Sequence, residues 1–325
     1  ATSSLVCPAP SPGTPVYKDT NGDARGLSIL GNYAYLADTA SGLAIINISD
    51  PTNPGTPVYK DTNGDAISVT IVGNYAYIAD DTSGLAIIDI SDPTNPGTPV
   101  YKDTSGNAYG VTVVGNYAYV ADWTSGLAII DISDPTNPGT PVYKVTSGNA
   151  RGVTILGNYA YVADWTSGLA IIDISDPTNP GNPVYKDTSG VALGVTVVGN
   201  YAYVADNASG LAIIDISDPA NPGNPVYKDT SGYSYGVTVV GNYAYVADKD
   251  SGLAIIDISD PTNPGNPIYK DTSGSARDGV TVVGNYAYLA DSASGLAVIP
   301  LNTSLIQDIA KNDATLTLAS PGSTN

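Results

Sequence analysis

Short runs of large apolar side chains alternate with polar stretches rich in Gly, Pro, Asn and Asp, and the same phrase returns along nearly the whole chain. The unit is clearest from Val111 to Val145. Val111–Val114 is a β-branched apolar run that stops at Gly115-Asn116, and Tyr117–Asp122 alternates large and small side chains. After a Thr-Ser-Gly turn comes a second β-rich run, Leu127–Ser133. The stretch from Asp134 to Pro141 forbids regular structure, because its prolines lack a donor and its Asp and Asn favour turns. Val142–Val145 is the last apolar run. These four runs predict four short strands. No 3.6-residue periodicity occurs in the repeat, and Gly and Pro recur too often for helix.

The phrase "GNYAY" begins at positions 31, 73, 115, 157, 199, 241 and 284, a spacing of 42 residues that becomes 43 once, where Asp278 is inserted. Four strands per unit of this length, repeated seven times, predict an all-β fold, a seven-bladed β-propeller of four-stranded blades. Helical solenoids need helices, and β-helices use much shorter coils. "PVYKD" or a variant of it also occurs seven times, but its first copy, Pro15–Asp19, precedes every "GNYAY", while the last unit, ending in Leu296–Leu301, has none after it. The N-terminal strand is therefore expected to complete the last blade and close the ring by main-chain pairing. This predicts a single ring over residues 14–301, an N-terminal extension over 1–13 and a C-terminal extension over 302–325.

The phrases "GLAIIDISDPTNP" and "GNYAYVAD" resemble the LVIVD repeat, found in propellers of bacterial and archaeal surfaces. The resemblance covers all seven units. It implies an extracellular or envelope-associated propeller, and it carries neither a catalytic motif nor a defined ligand.

Composition narrows the function. The net charge is −19, with 12 Lys and Arg against 31 acids, so the basic stripe that nucleic acid requires is missing. No apolar run is long enough to span a membrane. The chain starts at Ala1 without a charged-then-apolar leader and reads as a mature chain from which any targeting signal has gone. The lone Cys7 has no internal disulfide partner, and its "LVC" setting is only faintly like a lipoprotein processing site; an inert or intermolecularly paired thiol is expected. Sequons at Asn47, Asn207 and Asn302 are compatible with glycosylation outside the cell. Without His or Glu, the usual general bases are reduced to Asp, and no isolated Asp pair departs from the repeat, so no enzymatic activity and no cofactor are expected. Calcium is the one cation the pattern suggests, since Asp19, Asn21 and Asp23, then Asp61, Asn63 and Asp65, place oxygens at alternate positions. A Gly-containing turn explains the same residues.

Two windows differ most among the seven copies. One lies before each unit's first strand and holds Arg25, Ile67, Tyr109, Arg151, Leu193, Tyr235 and Arg277, with Tyr233 close by. The other precedes "SGLA" and holds the only tryptophans, Trp123 and Trp165, with Lys249 at the same slot. In a meander of alternating strands both windows fall on one face of the disc. Arg, Trp and Tyr dominate binding hot spots, so Arg25, Tyr109, Trp123, Arg151, Trp165, Tyr233, Tyr235, Lys249 and Arg277 form the candidate contact surface, for a carbohydrate, a protein or a neighbouring subunit.

The "ATLTLAS" stretch at 314–320 alternates as a strand does, yet no blade needs it. A spare strand invites pairing with another molecule. The expectation is an extracellular structural protein that assembles head-to-tail into a homopolymer, a filament or surface layer, through its terminal segments, with Leu5, Val6, Leu316 and Leu318 as the apolar contacts. A cell-surface binding module or adhesin that uses the variable face is the alternative.

Overall fold

The structure, a computed structural model, describes residues 9–302. Two short strands come first, β1 (Ser11–Pro12) and β2 (Val16–Lys18), followed by a complete blade of β3 (Gly26–Leu30), β4 (Tyr33–Ala37), β5 (Leu43–Asn47) and β6 (Val58–Lys60). The same antiparallel meander makes blades 2 to 6, so the molecule is the all-β seven-bladed propeller that the repeat predicts. Blade 7 consists of Val280–Val283, Tyr286–Ala290 and Leu296–Asn302, with β2 as its outer strand. Val16, Tyr17 and Lys18 lie opposite Val298, Ala297 and Leu296, and this pairing closes the ring.

Blades form because the two middle strands of each sheet are apolar on both faces. In β4 and β5, Tyr35, Ala37, Leu43 and Ile45 pack against Val69, Ile78 and Ile88 of blade 2. The alternate positions Ala34, Leu36, Ala44 and Ile46 pack against Tyr288, Leu296 and Val298 of blade 7. The core therefore lies between blades rather than within one. Each fully buried Leu or Ile contributes about 1.5–3 kcal/mol, and the alanines between them let neighbouring sheets approach. Leu30 and Tyr33 are joined by a two-residue turn in which Gly31 has a φ of +57°, the left-handed conformation that glycine tolerates best.

Element ends differ slightly from the sequence pattern. In blade 3 the strands are Gly110–Val114, Tyr117–Ala121, Leu127–Asp131 and Val142–Lys144. Asp122 leaves its strand because its carboxylate has another task. Thr104 Oγ donates to Asp122 Oδ1 at 2.6 Å, and the Gly106 amide donates to Oδ2 at 2.8 Å. Thr104 and Gly106 follow the outer strand of blade 2, so the carboxylate fastens one blade to the next. A Cβ on Gly106 would collide with the Asp122 carbonyl oxygen. Asp38, Asp80, Asp164, Asp206, Asp248 and Asp291 repeat the fastening with their own Thr and Gly partners.

The segment expected as an N-terminal extension takes part in the ring. Ser11 and Pro12 pair with Asn302 and Leu301, at the end of a last strand of 7 residues where its counterparts have 5. Extra length in the partner strand offers free main-chain groups, and the chain entering the ring satisfies them.

Candidate binding site at the mouth of the ring

The two variable windows meet, one from each of two adjacent blades. The first of the two residues before "SGLA" forms a main-chain bridge to the residue that precedes the next blade's position in the other window. Trp123 donates its amide to the Ala150 carbonyl at 3.1 Å, and the Ala150 amide donates to the Trp123 carbonyl at 3.0 Å. The bridge holds this slot in a left-handed conformation in all seven blades, with φ of +46° at Trp123 and +51° at Trp165. Such a backbone costs a bulky side chain roughly 1–2 kcal/mol. Asn207 and Asp81 fill the equivalent slots with residue types that suit them; tryptophan is a locally poor choice held by its surroundings.

Those surroundings are aromatic and cationic. The Trp123 ring lies 4.8 Å from Tyr109 and meets Trp165 edge-on at 5.1 Å. The Arg151 guanidinium lies 5.0 Å from the centre of Tyr109, 5.9 Å from Trp165 and 6.0 Å from Tyr235, while Arg277 lies 5.3 Å from Tyr235. Cation–π contacts of this kind contribute about 0.5–1 kcal/mol each when exposed and more when dry. Trp123, Trp165, Tyr109, Arg151, Tyr235 and Arg277 thus form one continuous chain of contacts from blade 3 to blade 7.

Lys249 and Tyr233 make a separate pair at 5.2 Å, and Lys249 also faces Asp250 at 3.8 Å. Arg25 occupies the same position in blade 1 and accepts the Gly279 amide on its carbonyl at 2.7 Å. Among the described residues its side chain joins none of the ring contacts.

The inner window positions surround a cavity of about 150 Å³ on the ring axis, lined by Ile67, Tyr109, Arg151, Leu193, Tyr235 and Asp278, with Gly110, Gly152, Gly194 and Gly236 behind them. Asp278 is the residue that sequence reasoning passed over as a site, although the single 43-residue interval marks it. The extra residue forms a bulge: Arg277 donates to the Ala290 carbonyl, and Ala290 donates in turn to the Gly279 carbonyl. The last blade's first strand consequently begins at Val280, one residue later than its counterparts. Bulges re-aim side chains, and this one turns Asp278 into the cavity opposite Arg151, with 3.9 Å between Arg151 Nη2 and Asp278 Oδ1. Arg277 Nε and Asp278 Oδ2 are buried without a partner, the only such side-chain atoms among the described residues.

The other sequence candidates lie elsewhere. Asp19, Asn21, Asp23, Asp61, Asn63 and Asp65 are exposed on the connections between blades. There the Asn21 amide donates to Tyr59 Oη, the Asn63 amide to Tyr101 Oη, and the Asp23 amide to Thr39 Oγ. Among the described residues no three or more His, Cys, Asp or Glu side chains converge as a metal site. Asn47 and Asn302 are exposed strand ends, whereas Asn207 holds the inter-blade bridge to Ser234. Leu5, Val6, Cys7, Leu316, Leu318 and the 314–320 stretch lie outside the described residues. Among the described residues no helix is long and apolar enough to cross a membrane.

The inter-blade carboxylates are the most perturbed acids near this face. Burial raises the pKa of Asp122 and Asp164 above the ordinary carboxylate value of 3.8, while hydrogen bonds from Thr104 and Gly106, and from Thr146 and Gly148, pull it back. On the opposite face, Asp92 and Asp134 start the proline loops and accept hydrogen bonds from Thr94 and Thr136, which lowers theirs.

Comparison with known proteins agrees with this architecture. The LVIVD repeat family model matches residues 21–58, 63–100, 105–141, 147–183, 189–225, 231–267 and 273–300. No curated protein matches the chain. Among solved structures it is similar to the RRP9 WD40 repeats, with a TM-score of 0.75 and 8% identity over 91% of this chain and 99% of that one. The computationally designed Ika8 protein is similar at a TM-score of 0.61 and 8% identity, covering 88% and 98%. BamB from Moraxella catarrhalis is similar at 0.60 and 13%, covering 90% and 100%. At these identities the likeness is one of fold.

Proposed function

Because the chain belongs to the LVIVD repeat family, we propose that it is a non-enzymatic extracellular structural protein, a rigid ring that joins into a filament or surface layer through its terminal segments. One observation carries this reading. Every blade has its four strands complete within residues 11–302, so no blade needs the alternating stretch at 314–320 to complete it. The chain on both sides of the ring leaves from one place, the Ser11–Asn302 pair at the end of blade 7. An alternating stretch that no blade needs is suited to pair with a sheet edge of another copy, where main-chain hydrogen bonds supply the affinity. Removal of residues 303–325 is expected to leave a folded monomer that no longer polymerises, seen as loss of fibres by electron microscopy with an unchanged circular dichroism spectrum. A truncated chain that still forms fibres overturns the proposal.

The aromatic and cationic mouth supports a second role, as a receptor surface on the assembled rings. Two tryptophans held in a costly backbone conformation, beside an arginine in contact with two tyrosine rings, form a hot-spot arrangement that the fold does not require. Replacing Trp123 and Trp165 with Ala is expected to abolish ligand capture while assembly persists.

A further inference from the structure

We propose that the C-terminal segment 303–309 folds back over its own ring and covers an apolar collar on the face opposite the mouth. The segment lies beyond the described residues, whereas the collar is built from the repeat itself. The 314–320 stretch stays free for a neighbouring copy.

Each inner strand begins at the mouth and ends on the opposite face. Its last residue is apolar in every blade: Leu30, Val72, Val114, Leu156 and their three equivalents are between 41% and 47% exposed. Inner strands neighbour one another in turn around the axis, so these tips make one ring. Beside each tip stands a half-buried tyrosine, Tyr33 opposite Leu30 and Tyr75 opposite Val72. Single exposed apolar residues are ordinary, but a contiguous patch marks a contact surface.

Charge selects the occupant. Exposed Asp89 and Asp131, across from Tyr75 and Tyr117, border the collar with carboxylates. A second copy laid face to face would set these acids against their own kind, which is costly. An uncharged apolar stretch avoids that penalty. Residues 303–307 carry no charge, and they include Leu305 and Ile306, with Ile309 just beyond.

The route also points inward. Leu301 takes the place of Ile48 in blade 1: its amide donates to the Asn285 carbonyl at 2.7 Å, as that of Ile48 does to Asn32 at 2.8 Å. After Ile48 the chain turns outward through Asp50-Pro51 to its outer strand. After Leu301 the outward side is already taken, because Ser11 and Pro12 pair with Asn302 and Leu301 there. On the inward side lies the turn at Gly284, where a Cβ would meet nothing within 4 Å. Val283, Tyr286 and Pro300 stand side by side in three adjacent strands, so the collar starts about 10 Å inward of the last strand. Three extended residues span about 10 Å, and Leu305 is the third residue after Asn302.

The test is amide hydrogen exchange of peptides covering 303–309 in the full chain, at high and at low protein concentration. Exchange about tenfold or more slower than in the free peptide is expected, unchanged on dilution. Leu30→Asp with Val240→Asp changes the tips on either side of blade 7 and is expected to abolish the protection at an unchanged circular dichroism spectrum. Leu305→Asp with Ile306→Asp is expected to do the same from the side of the tail. Exchange of the parent at the free-peptide rate overturns the proposal, and so does protection that survives in the collar variant. Protection lost on dilution overturns it as well, since it gives the collar to the tail of a neighbouring copy.

Discussion

The two faces of the disc are built from one repeat and behave differently. On one face, Gly-Asn turns and Asp-Pro-Thr-Asn-Pro loops recur almost unchanged. Asp92 and Asp134 each bind the amide and hydroxyl of the threonine two residues on. On the other, the backbone repeats just as closely, down to a left-handed residue in every blade, but the side chains on it do not. Seven near-identical frames, the last with one inserted residue, carry seven different tips. Periodic residues hold blades together, and aperiodic ones gather around the axis, where neighbours from several blades are within reach.

The sharpest way to break that contrast is to damage the frame beneath a variable tip. Asp122→Ala leaves the Thr104 hydroxyl and the Gly106 amide without their acceptor, and is expected to cost about 2 kcal/mol in a urea unfolding experiment. A loss under about 0.5 kcal/mol, the range of ordinary surface changes, shows that the fastening is dispensable.

Acidity separates the faces by sign. Desolvation raises the buried Asp38, Asp80, Asp122, Asp164, Asp206, Asp248 and Asp291, so their contribution is full below the ordinary value of 3.8 and is lost as pH rises through the raised folded value. Hydrogen bonds lower the exposed loop acids such as Asp50, Asp92 and Asp134, whose contribution is full above that value and lost as pH falls through the lowered one. The thermal midpoint is therefore expected to rise from about pH 7 toward about pH 4 and to fall again by about pH 2. A midpoint highest at neutral pH contradicts the dominance of the buried set.

The smallest effect on stability belongs to the most conspicuous residue. Trp123→Asn relieves the left-handed backbone but removes ring contacts with Tyr109 and Trp165, and these terms oppose each other at about 1 kcal/mol each. The variant is expected to unfold within about 1 kcal/mol of the parent. A much larger loss makes Trp123 part of the frame and not of the tip.

Much of this was legible in advance. The repeat placed the strands within a residue or two, and the misplaced copy of "PVYKD" disclosed the ring closure. One boundary miss has a clear cause: Asp122 and its six equivalents look like strand ends until their partners across the blade interface are known. The mouth was legible as a set of residue types on one face. Its neighbours were not, because Tyr235 and Asp278 approach Arg151 only when distant blades curve around one axis. Asp278 was visible as an irregularity of spacing, but nothing local says that an inserted residue points inward.

What the chain by itself determined is whatever depends on pattern repeated in place: the strands, their number per blade, the number of blades and the strand that shuts the circle. Alternation of side chains and turn chemistry are local, and seven copies state them without ambiguity. Only the tertiary structure decided which aperiodic side chains meet, because the closed ring brings blades 3, 4, 6 and 7 to a common centre. There a bulge one residue long sets Asp278 against Arg151 and leaves Arg277 Nε and Asp278 Oδ2 buried without a partner.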